Sequence, residues 1–187
     1  MTMDNNFFKV LRPGINTTYQ DEGRFGLQHF GLPPGGCMDH KSFLIANALV
    51  GNKKNYGALE FAYQGPMLKL TKGKTKIAVT GNTQFQIVYL NNDTIKGVCN
   101  RSYNLNEGDV IDVIATKKSA YGYLSVAGGF KIQSFFSSVS TLVRARIGPN
   151  NGNKIKEEDK IVINKATDNK ENFQAIIFTE DVNTIRV

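Results

Sequence analysis

The chain of 187 residues has few of the side chains that cross-link proteins or bind metals. It contains two cysteines, Cys37 and Cys99, and two histidines, His29 and His40. Two isolated cysteines do not form a disulfide framework, and a structural zinc ion needs three or four suitably spaced ligands. The sequence therefore predicts no metal site and fits a reducing compartment.

Long apolar stretches are also absent. No run approaches the ~20 apolar residues that span a bilayer. The first residues, MTMDNNFFKVLRPG, lack the basic start and apolar stretch of a secretory signal. We therefore expect a cytoplasmic protein without a membrane partner.

Familiar catalytic and nucleotide-binding motifs are missing as well. The sequence has no Gly-x-Ser-x-Gly turn, no Walker loop and no Gly-x-Gly-x-x-Gly fingerprint. This argues against serine hydrolysis and indicates no nucleotide site of the chain's own. A nucleophilic pair of Cys37 with His29 or His40 is one alternative. The competing interpretation is that Cys37 is a small residue filling a packed turn.

The positive charge is present but dispersed. The formal net charge is +7 and the isoelectric point is near 9.4. Its densest stretch, Lys69 to Lys76, alternates lysines with other residues, as on the solvent face of a strand. No aromatic platform or arginine-rich run accompanies it, so we expect no nucleic-acid partner.

Short β-prone segments separated by turn residues dominate the pattern and indicate a mainly β, barrel-like domain. We predict one domain over residues 1–187 with one or two short helices. The best helix covers 39–50, with Asp39 as its N-cap. The predicted strands are 7–10, 17–19, 58–63, 67–70, 75–80, 84–89, 110–115, 121–126, 160–163 and 174–178.

Two similar turns precede predicted strands, at 105–109 and at 155–159. Each reads as a tight hairpin turn whose aspartate bonds the backbone of its own turn. Gly108 suits a positive φ in the first turn. Glu158 takes the equivalent position in the second, so we expect strain there.

The glycine-rich segment 20–40 concentrates the polar groups that chemistry would need. Glycines allow backbone N–H groups to approach a ligand, and charged side chains can bind a carboxylate, an amide or a phosphate. The competing interpretation is a compact loop whose polar groups satisfy its own backbone. The polar groups are Asp21, Glu22, Arg24, Gln28, His29, Asp39 and His40.

The motifs, taken in order, resemble one family, that of allophanate hydrolase subunit 2 and the C subunit of 5-oxoprolinase. The opening over 13–26, PGINTTYQDEGRFG, carries the most specific part of the resemblance. Later matches are His29 to Pro33, Gly36 to Asp39, Ala46-Asn47, Leu49 to Asn52, Leu59-Glu60, Gly65-Pro66, Ala127 to Gly129, Ser138 and Ser140-Thr141.

This resemblance implies a cyclophilin-like β-barrel and the N-terminal half of a longer architecture. It implies a partner like subunit 1 of allophanate hydrolase or the B subunit of 5-oxoprolinase, and a small amide or lactam substrate. ATP used by the complex, and biotin on a partner carrier, are the implied cofactors; the resemblance assigns neither to this chain.

From the loop and the resemblance together, we expect Asp21, Arg24 and His29 to be catalytic. Substrate-binding residues are expected at Gln20, Gly23, Gln28, Gly35, Gly36 and Asp39, with Asn47, Asn52 and Glu60 supporting the loop from behind.

The favoured function is a subunit of an ATP-dependent enzyme of the 5-oxoprolinase type. The alternatives are a non-catalytic regulator of the kinase-inhibitor-antagonist type and the carboxyltransferase domain of a biotin-dependent urea carboxylase.

Overall fold

The structure, a computed structural model, describes residues 5–165. Within this range it contains strands in two sheets, an α-helix, a 3₁₀ turn and a left-handed helical turn. The strands are β1 (Asn6–Arg12), β2 (Asn16–Gln20), β3 (Ala58–Ala62), β4 (Met67–Lys72), β5 (Thr75–Thr80), β6 (Thr83–Val88), β7 (Thr94–Lys96), β8 (Arg101–Leu105), β9 (Val110–Thr116), β10 (Tyr121–Val126) and β11 (Lys160–Ile163). The helix α1 is His40–Leu49, the 3₁₀ turn is Gln28–Phe30 and the left-handed turn α2 is Pro149–Gly152.

The strands form two antiparallel sheets. One has the order β11-β1-β4-β9-β6-β7 and the other β2-β3-β10-β5-β8. The main core lies between them, where Phe8 and Ile111 from the first sheet pack with Leu59, Ile77 and Leu124 from the second. Alternate residues of β6 point into this core, which explains its alternating buried and half-buried pattern.

The five-stranded sheet is covered on both faces. Its outer face carries α1, whose Phe43 and Ala46 pack against Ala58 and Tyr123. Because neither face meets water, β3 and β5 are buried along their whole length, and their sequences ALEFA and TKIAVT lack a regular apolar alternation. This sheet is the rigid support from which the 20–40 loop extends.

The prediction of a mainly β fold with one or two short helices is confirmed, but the expected closed barrel is not found. Across residues 5–165 no strand pairing joins the edge strands of one sheet to those of the other. The two sheets instead pack face to face and fill the space between them with side chains. The fold is therefore two layered open sheets.

Two short strands escaped sequence prediction. β7 has three residues, none of them buried, and β8 is rich in polar residues, including buried Ser102. Neither has the apolar pattern that marks a strand, and each forms by pairing with a stronger neighbour, β6 or β5. The strand predicted at 174–178 lies outside the described residues.

The two similar turns have the predicted local chemistry but not the predicted topology. Gly108 has φ 97°, and Asp109 Oδ2 accepts a hydrogen bond from Asn106 N at 2.8 Å. Glu158 has φ 69°, the strained conformation expected of it. The first turn is not a hairpin, however, because β8 pairs with β5 whereas β9 pairs with β4 and β6. It carries the chain from one sheet to the other.

Replacement of Leu124 by alanine should lower the free energy of unfolding by about 2–5 kcal/mol, since it opens a cavity between the sheets. Leu124 is 0% exposed, whereas Leu90, the control, is 71% exposed. Leu90→Ala should change stability by less than about 1 kcal/mol. Urea unfolding of both variants measures the difference, and equal losses would contradict the described core.

Candidate functional site

Three of the predicted site residues contact one segment, residues 138–141, through their side chains. Gln20 ends β2, and the chain then turns so that Asp21 and Arg24 face the same segment. All three side chains are buried. We call this set of contacts between residues 20–24 and residues 138–141 the polar joint.

Gln20 binds the segment through both ends of its amide. Its Nε2 donates to Thr141 O at 3.1 Å, and its Oε1 accepts from Ser140 Oγ at 2.6 Å. Nε2 also donates to Thr18 Oγ1 at 2.9 Å. The Gln20 amide therefore makes its hydrogen bonds within the protein.

Asp21 is similarly engaged. Its Oδ1 accepts from Gly23 N at 2.8 Å and from Ser138 Oγ at 2.7 Å, while Oδ2 accepts from Val139 N at 2.7 Å. A buried carboxylate that accepts several hydrogen bonds orders the groups around it. Asp21 therefore positions the loop and the 138–141 segment relative to each other.

Arg24 is 1% exposed and only partly satisfied. Its Nη2 donates to Ser140 O, whereas Nε and Nη1 have no hydrogen-bond partner among the described residues. Burial lowers the pKa of the Arg24 guanidinium, and the nearby Asp21 carboxylate opposes that shift. A buried cation with unpartnered N–H groups is costly, which sets Arg24 apart from Gln20 and Asp21.

The predicted glycines lie where backbones approach closely. Gly23 and Gly36 have φ 98° and 99°, and a Cβ on either would come within 2.9 Å of backbone oxygens. Gly36 N donates to Ser140 Oγ at 2.8 Å, and a Cβ on Gly35 would lie 2.8 Å from the same oxygen. The glycines thus serve the polar joint by letting two loops pack against it.

A cavity of about 390 Å³ lies beside the polar joint. It is lined by Gly23, Arg24, Phe25, Leu27, Phe136 and Ser137. The volume falls within the range of small-molecule sites, ~300–1,000 Å³. Its rim is apolar and open, since Phe25 is 70% and Phe136 61% exposed.

His29 and Gln28 do not join this cluster. Both lie in the exposed 3₁₀ turn, where the His29 ring packs on Phe30 with centroids 4.0 Å apart. Neither lines the cavity. The expected catalytic set of Asp21, Arg24 and His29 is therefore split, with two members buried in the joint and one on the surface.

Asp39 has a structural role that accounts for its contacts. It is the N-cap of α1, with Oδ1 accepting from Ser42 N at 3.0 Å and Oδ2 from Ser42 Oγ at 2.5 Å. Its backbone N donates to Tyr123 OH at 2.7 Å. The helix-capping part of the sequence prediction is confirmed, and the substrate-binding role of Asp39 stays a prediction.

Glu60 supports the loop from behind, as predicted. Its Oε2 accepts from Met38 N at 2.7 Å and from Tyr123 OH at 2.6 Å. Burial raises the pKa of Glu60, although both hydrogen bonds oppose the shift. Asn47 and Asn52 act elsewhere: Asn47 Nδ2 donates to Tyr56 O, just before β3, and Asn52 Nδ2 donates to Val126 O at the end of β10. They fix the end of α1 to these two segments.

The structure favours a packing role for Cys37. The residue is half-buried against the Phe43 and Tyr123 cluster, and burial raises the pKa of its thiol to about 11. A thiol with that pKa is rarely the reactive thiolate at neutral pH. His40 instead approaches Glu22, with Nε2 3.4 Å from Oε1. Among the described residues, no cluster of three or more histidine, cysteine or acidic side chains is placed to hold a metal.

Sequence reasoning missed the cavity wall formed by Phe136 and Ser137. Both have positive φ, 53° and 60°. This backbone conformation is unusual for Phe and Ser, so their residue types do not predict it. The neighbouring Ser138 and Ser140 were noted only as family motifs. Their pairing with residues 20–24 arises from tertiary contact.

The structure is a two-sheet β domain with a cavity of about 390 Å³ beside the polar joint. The chain belongs to the carboxyltransferase family described as carboxyltransferase domain, subdomain A and B, which matches residues 30–186. This confirms the family resemblance drawn from the sequence motifs. Within residues 5–165, no helix has the length and apolar character needed to cross a membrane.

Similarity to known proteins extends over most of the chain. It is 33% identical over 152 residues to the C subunit of 5-oxoprolinase from Haemophilus influenzae, covering 81% of this chain and 48% of that protein. It is 33% identical over 159 residues to urea amidolyase of Lachancea kluyveri, covering 84% of this chain and 8% of the amidolyase.

A solved structure shows the same fold. The crystal structure of the K. lactis urea amidolyase matches with a TM-score of 0.79 at 34% identity, covering 88% of this chain and 10% of that one. The chain spans about half the length of the C subunit of 5-oxoprolinase and under a tenth of urea amidolyase.

Loss of the Asp39 side chain should weaken α1 by removing its N-cap. We expect Asp39→Ala to lower the free energy of unfolding by about 0.5–2 kcal/mol. Asp39→Asn, which can still cap, should retain most of the stability. Urea unfolding measures both, and an asparagine variant as unstable as the alanine variant would contradict the capping role.

Because of Glu60, the free energy of unfolding should fall as the pH rises. In the folded protein, the pKa of Glu60 lies above its ordinary value of 4.5. Its contribution is therefore present below that ordinary value and is lost as the pH passes through the higher folded pKa. Glu60→Gln should remove this slope. Urea unfolding between pH 4 and 8 compares the two proteins, and identical slopes would refute the assignment to Glu60.

Proposed function

We propose that this chain is a subunit of an ATP-dependent enzyme of the 5-oxoprolinase type, acting on a small amide or lactam. The similarity to the C subunit of 5-oxoprolinase over 81% of the chain supports the class. The observation that carries the proposal is the cavity beside the polar joint, where a buried guanidinium with unpartnered N–H groups forms part of an otherwise largely apolar wall. Fixed hydrogen-bond donors are suited to holding a carbonyl or carboxylate oxygen.

In this proposal the chain's residues bind and orient. Arg24 holds an oxygen of the substrate, while Phe25 and Phe136 pack on the flat faces of the amide or lactam. Gln20 and Asp21 keep the two cavity walls in register through the 138–141 segment. Precise placement of this kind lowers a reaction barrier because small displacements of a substrate cost large factors in rate.

A partner protein fits the exposed apolar rim. Phe25 and Phe136 both present most of their surface to solvent, which is unusual for large aromatic side chains. We propose that a partner like the B subunit of 5-oxoprolinase or subunit 1 of allophanate hydrolase covers this rim and closes the cavity.

We propose that this cavity is not the ATP site. A triphosphate needs several backbone N–H groups or cations, whereas these walls offer one guanidinium beside Phe25, Leu27 and Phe136. We therefore propose that ATP is bound by a partner chain.

The second candidate is the carboxyltransferase domain of a biotin-dependent urea carboxylase. It is favoured by the 33% identity to urea amidolyase over 159 residues. In that case a biotin attached to a partner carrier would enter through the open rim. The regulatory alternative, a kinase-inhibitor antagonist without catalytic activity, stays a prediction.

The protein reconstituted with its partner subunits should hydrolyse ATP in response to 5-oxoproline. Asp21→Asn should reduce this activity at least about tenfold, because an amide NH₂ would face either the Val139 N–H or the donors that meet Oδ1. Asp93→Asn changes an exposed turn in the same chemical way and should leave the activity unchanged.

A coupled assay of ADP release measures these rates, with thermal unfolding confirming that each variant is folded. Stimulation by urea and bicarbonate with the biotin carrier, in place of 5-oxoproline, would select the second candidate. Full activity of a folded Asp21→Asn variant would contradict the role given to the polar joint.

A further inference from the structure

A second cavity, of about 220 Å³, lies at the side of the molecule where the two sheets stay open. Tyr19 of β2, an end strand of one sheet, lines it together with Ile161 of β11, an end strand of the other. We call it the edge cavity. It shares no lining residue with the cavity beside the polar joint. Its volume lies below the ~300–1,000 Å³ of sites for drug-sized ligands, so it suits a small ligand group.

Tyr19 brings to the edge cavity a hydroxyl that the protein itself does not use. The side chain is 6% exposed, and its ring packs edge-on against Phe130 with centroids 5.5 Å apart. Among the described residues the hydroxyl has no hydrogen-bond partner, and it is not fully enclosed as Arg24 Nε is, so it reaches the cavity. Because a buried tyrosine hydroxyl normally has a partner, a ligand atom in the cavity would supply one.

Asp159 has a carboxylate oxygen that is also unused. In the similar turn 105–109, both oxygens of Asp109 accept backbone N–H groups, at 2.8 and 3.0 Å. The Oδ2 of Asp159 accepts from Lys156 N at 2.8 Å and from Asn150 Nδ2 at 3.4 Å. Its Oδ1 accepts no hydrogen bond within residues 5–165. Asp159 therefore keeps one acceptor available at the edge cavity, which it lines.

The negative charge of Asp159 has no cation in contact. None of the ion pairs found in the described part of the chain includes it. Two lysines also line the edge cavity, but each ammonium lies against another group. Lys160 Nζ is 4.0 Å from the centroid of the Phe7 ring, and Lys131 Nζ is 3.4 Å from Asn5 Oδ1. A cationic ligand could therefore pair with this carboxylate.

The unused polar groups adjoin an apolar surface. Ile155 and Ile161, which are 3% and 1% exposed, belong to the main core and also line the edge cavity. Burial, and to a smaller extent the charge of Asp159, raise the pKa of the Tyr19 hydroxyl, which stays neutral. A ligand that matches these walls needs a positively charged hydrogen-bond donor and an apolar part.

We propose that the edge cavity binds a primary ammonium group on a short apolar stem. The ammonium donates to Asp159 Oδ1 and to the hydroxyl oxygen of Tyr19, and the stem packs on Ile155 and Ile161. A free alkylamine and the lysine side chain of another protein both carry this group. The site is separate from the polar joint, and it does not depend on the proposed function.

The test compares three probes that share a four-carbon stem: butylammonium, 1-butanol and butyrate. The full-length protein is titrated with each, and binding is followed by the NMR shifts of the Lys160 and Ile161 amides. Butylammonium should bind at least about fivefold more tightly than 1-butanol, because its hydrogen bonds are charge-assisted, and butyrate should bind most weakly. Equal or tighter binding of either other probe, or no binding of butylammonium, would overturn the proposal.

Two variants remove one ligand contact each. Asp159→Asn removes the charge but keeps an oxygen for Lys156 N, and Tyr19→Phe removes only the hydroxyl. Each should weaken butylammonium binding at least about threefold. Glu157→Gln makes the same charge change at an exposed carboxylate of the same turn and should leave binding unchanged. Full affinity in either contact variant, or an equal loss in Glu157→Gln, would contradict the site.

Thermal unfolding separates binding from stability. Because the Tyr19 hydroxyl has no internal hydrogen bond, Tyr19→Phe should be as stable as the original protein. This variant therefore decides the matter if Asp159→Asn does not fold.

A capped lysine, Nα-acetyl-lysine N-methylamide, distinguishes the two sources of the ammonium group. Tighter binding of the capped lysine than of butylammonium would support a lysine side chain of another protein. Weaker binding would support a free amine. Both results support an ammonium site, whereas failure of both ligands to bind would exclude one.

Discussion

The buried polar joint between residues 20–24 and 138–141 is the interaction on which the candidate site depends. Gln20 and Thr141 are 121 residues apart in the chain, yet a direct hydrogen bond joins them. The side chains of Gln20, Asp21, Ser138 and Ser140 are buried, so they depend on one another for their hydrogen bonds, and a missing partner would leave a polar group unsatisfied. The joint thus fixes two distant loops in one arrangement, and the cavity lies where those loops meet.

The loop of residues 20–40 is anchored at both ends to the same five-stranded sheet. At its start, Gln20 is the last residue of β2 and belongs to the polar joint. At its end, Glu60 of β3 and Tyr123 of β10 bind the backbone of Met38 and Asp39, and α1 begins there. Residues between the anchors reach the surface, including Phe25 and His29. A rigid base with an exposed centre is the usual way in which a loop carries a binding site.

Membership of the carboxyltransferase family agrees with this arrangement without fixing the reaction. The chain is similar in sequence to both the C subunit of 5-oxoprolinase and urea amidolyase, and a shared family does not fix one function. In the proposed site, the residues that line the cavity are the ones that would distinguish one substrate from another. In this chain those walls combine aromatic side chains with one buried guanidinium that has no anion in contact.

The sequence by itself determined the local elements and the family. Apolar runs marked most strands, Asp39 marked the start of α1, and Gly108 marked a turn, because each depends on residues close together in the chain. The loop motifs marked Gln20, Asp21 and Arg24 as important, but not what they contact.

Only the tertiary structure decided that Asp21 binds Ser138, that Arg24 lines a cavity, and that His29 stays outside it. It also decided that the sheets remain open rather than closing into a barrel. These features depend on contacts between segments far apart in the chain, and local spacing carries no record of which segments will meet.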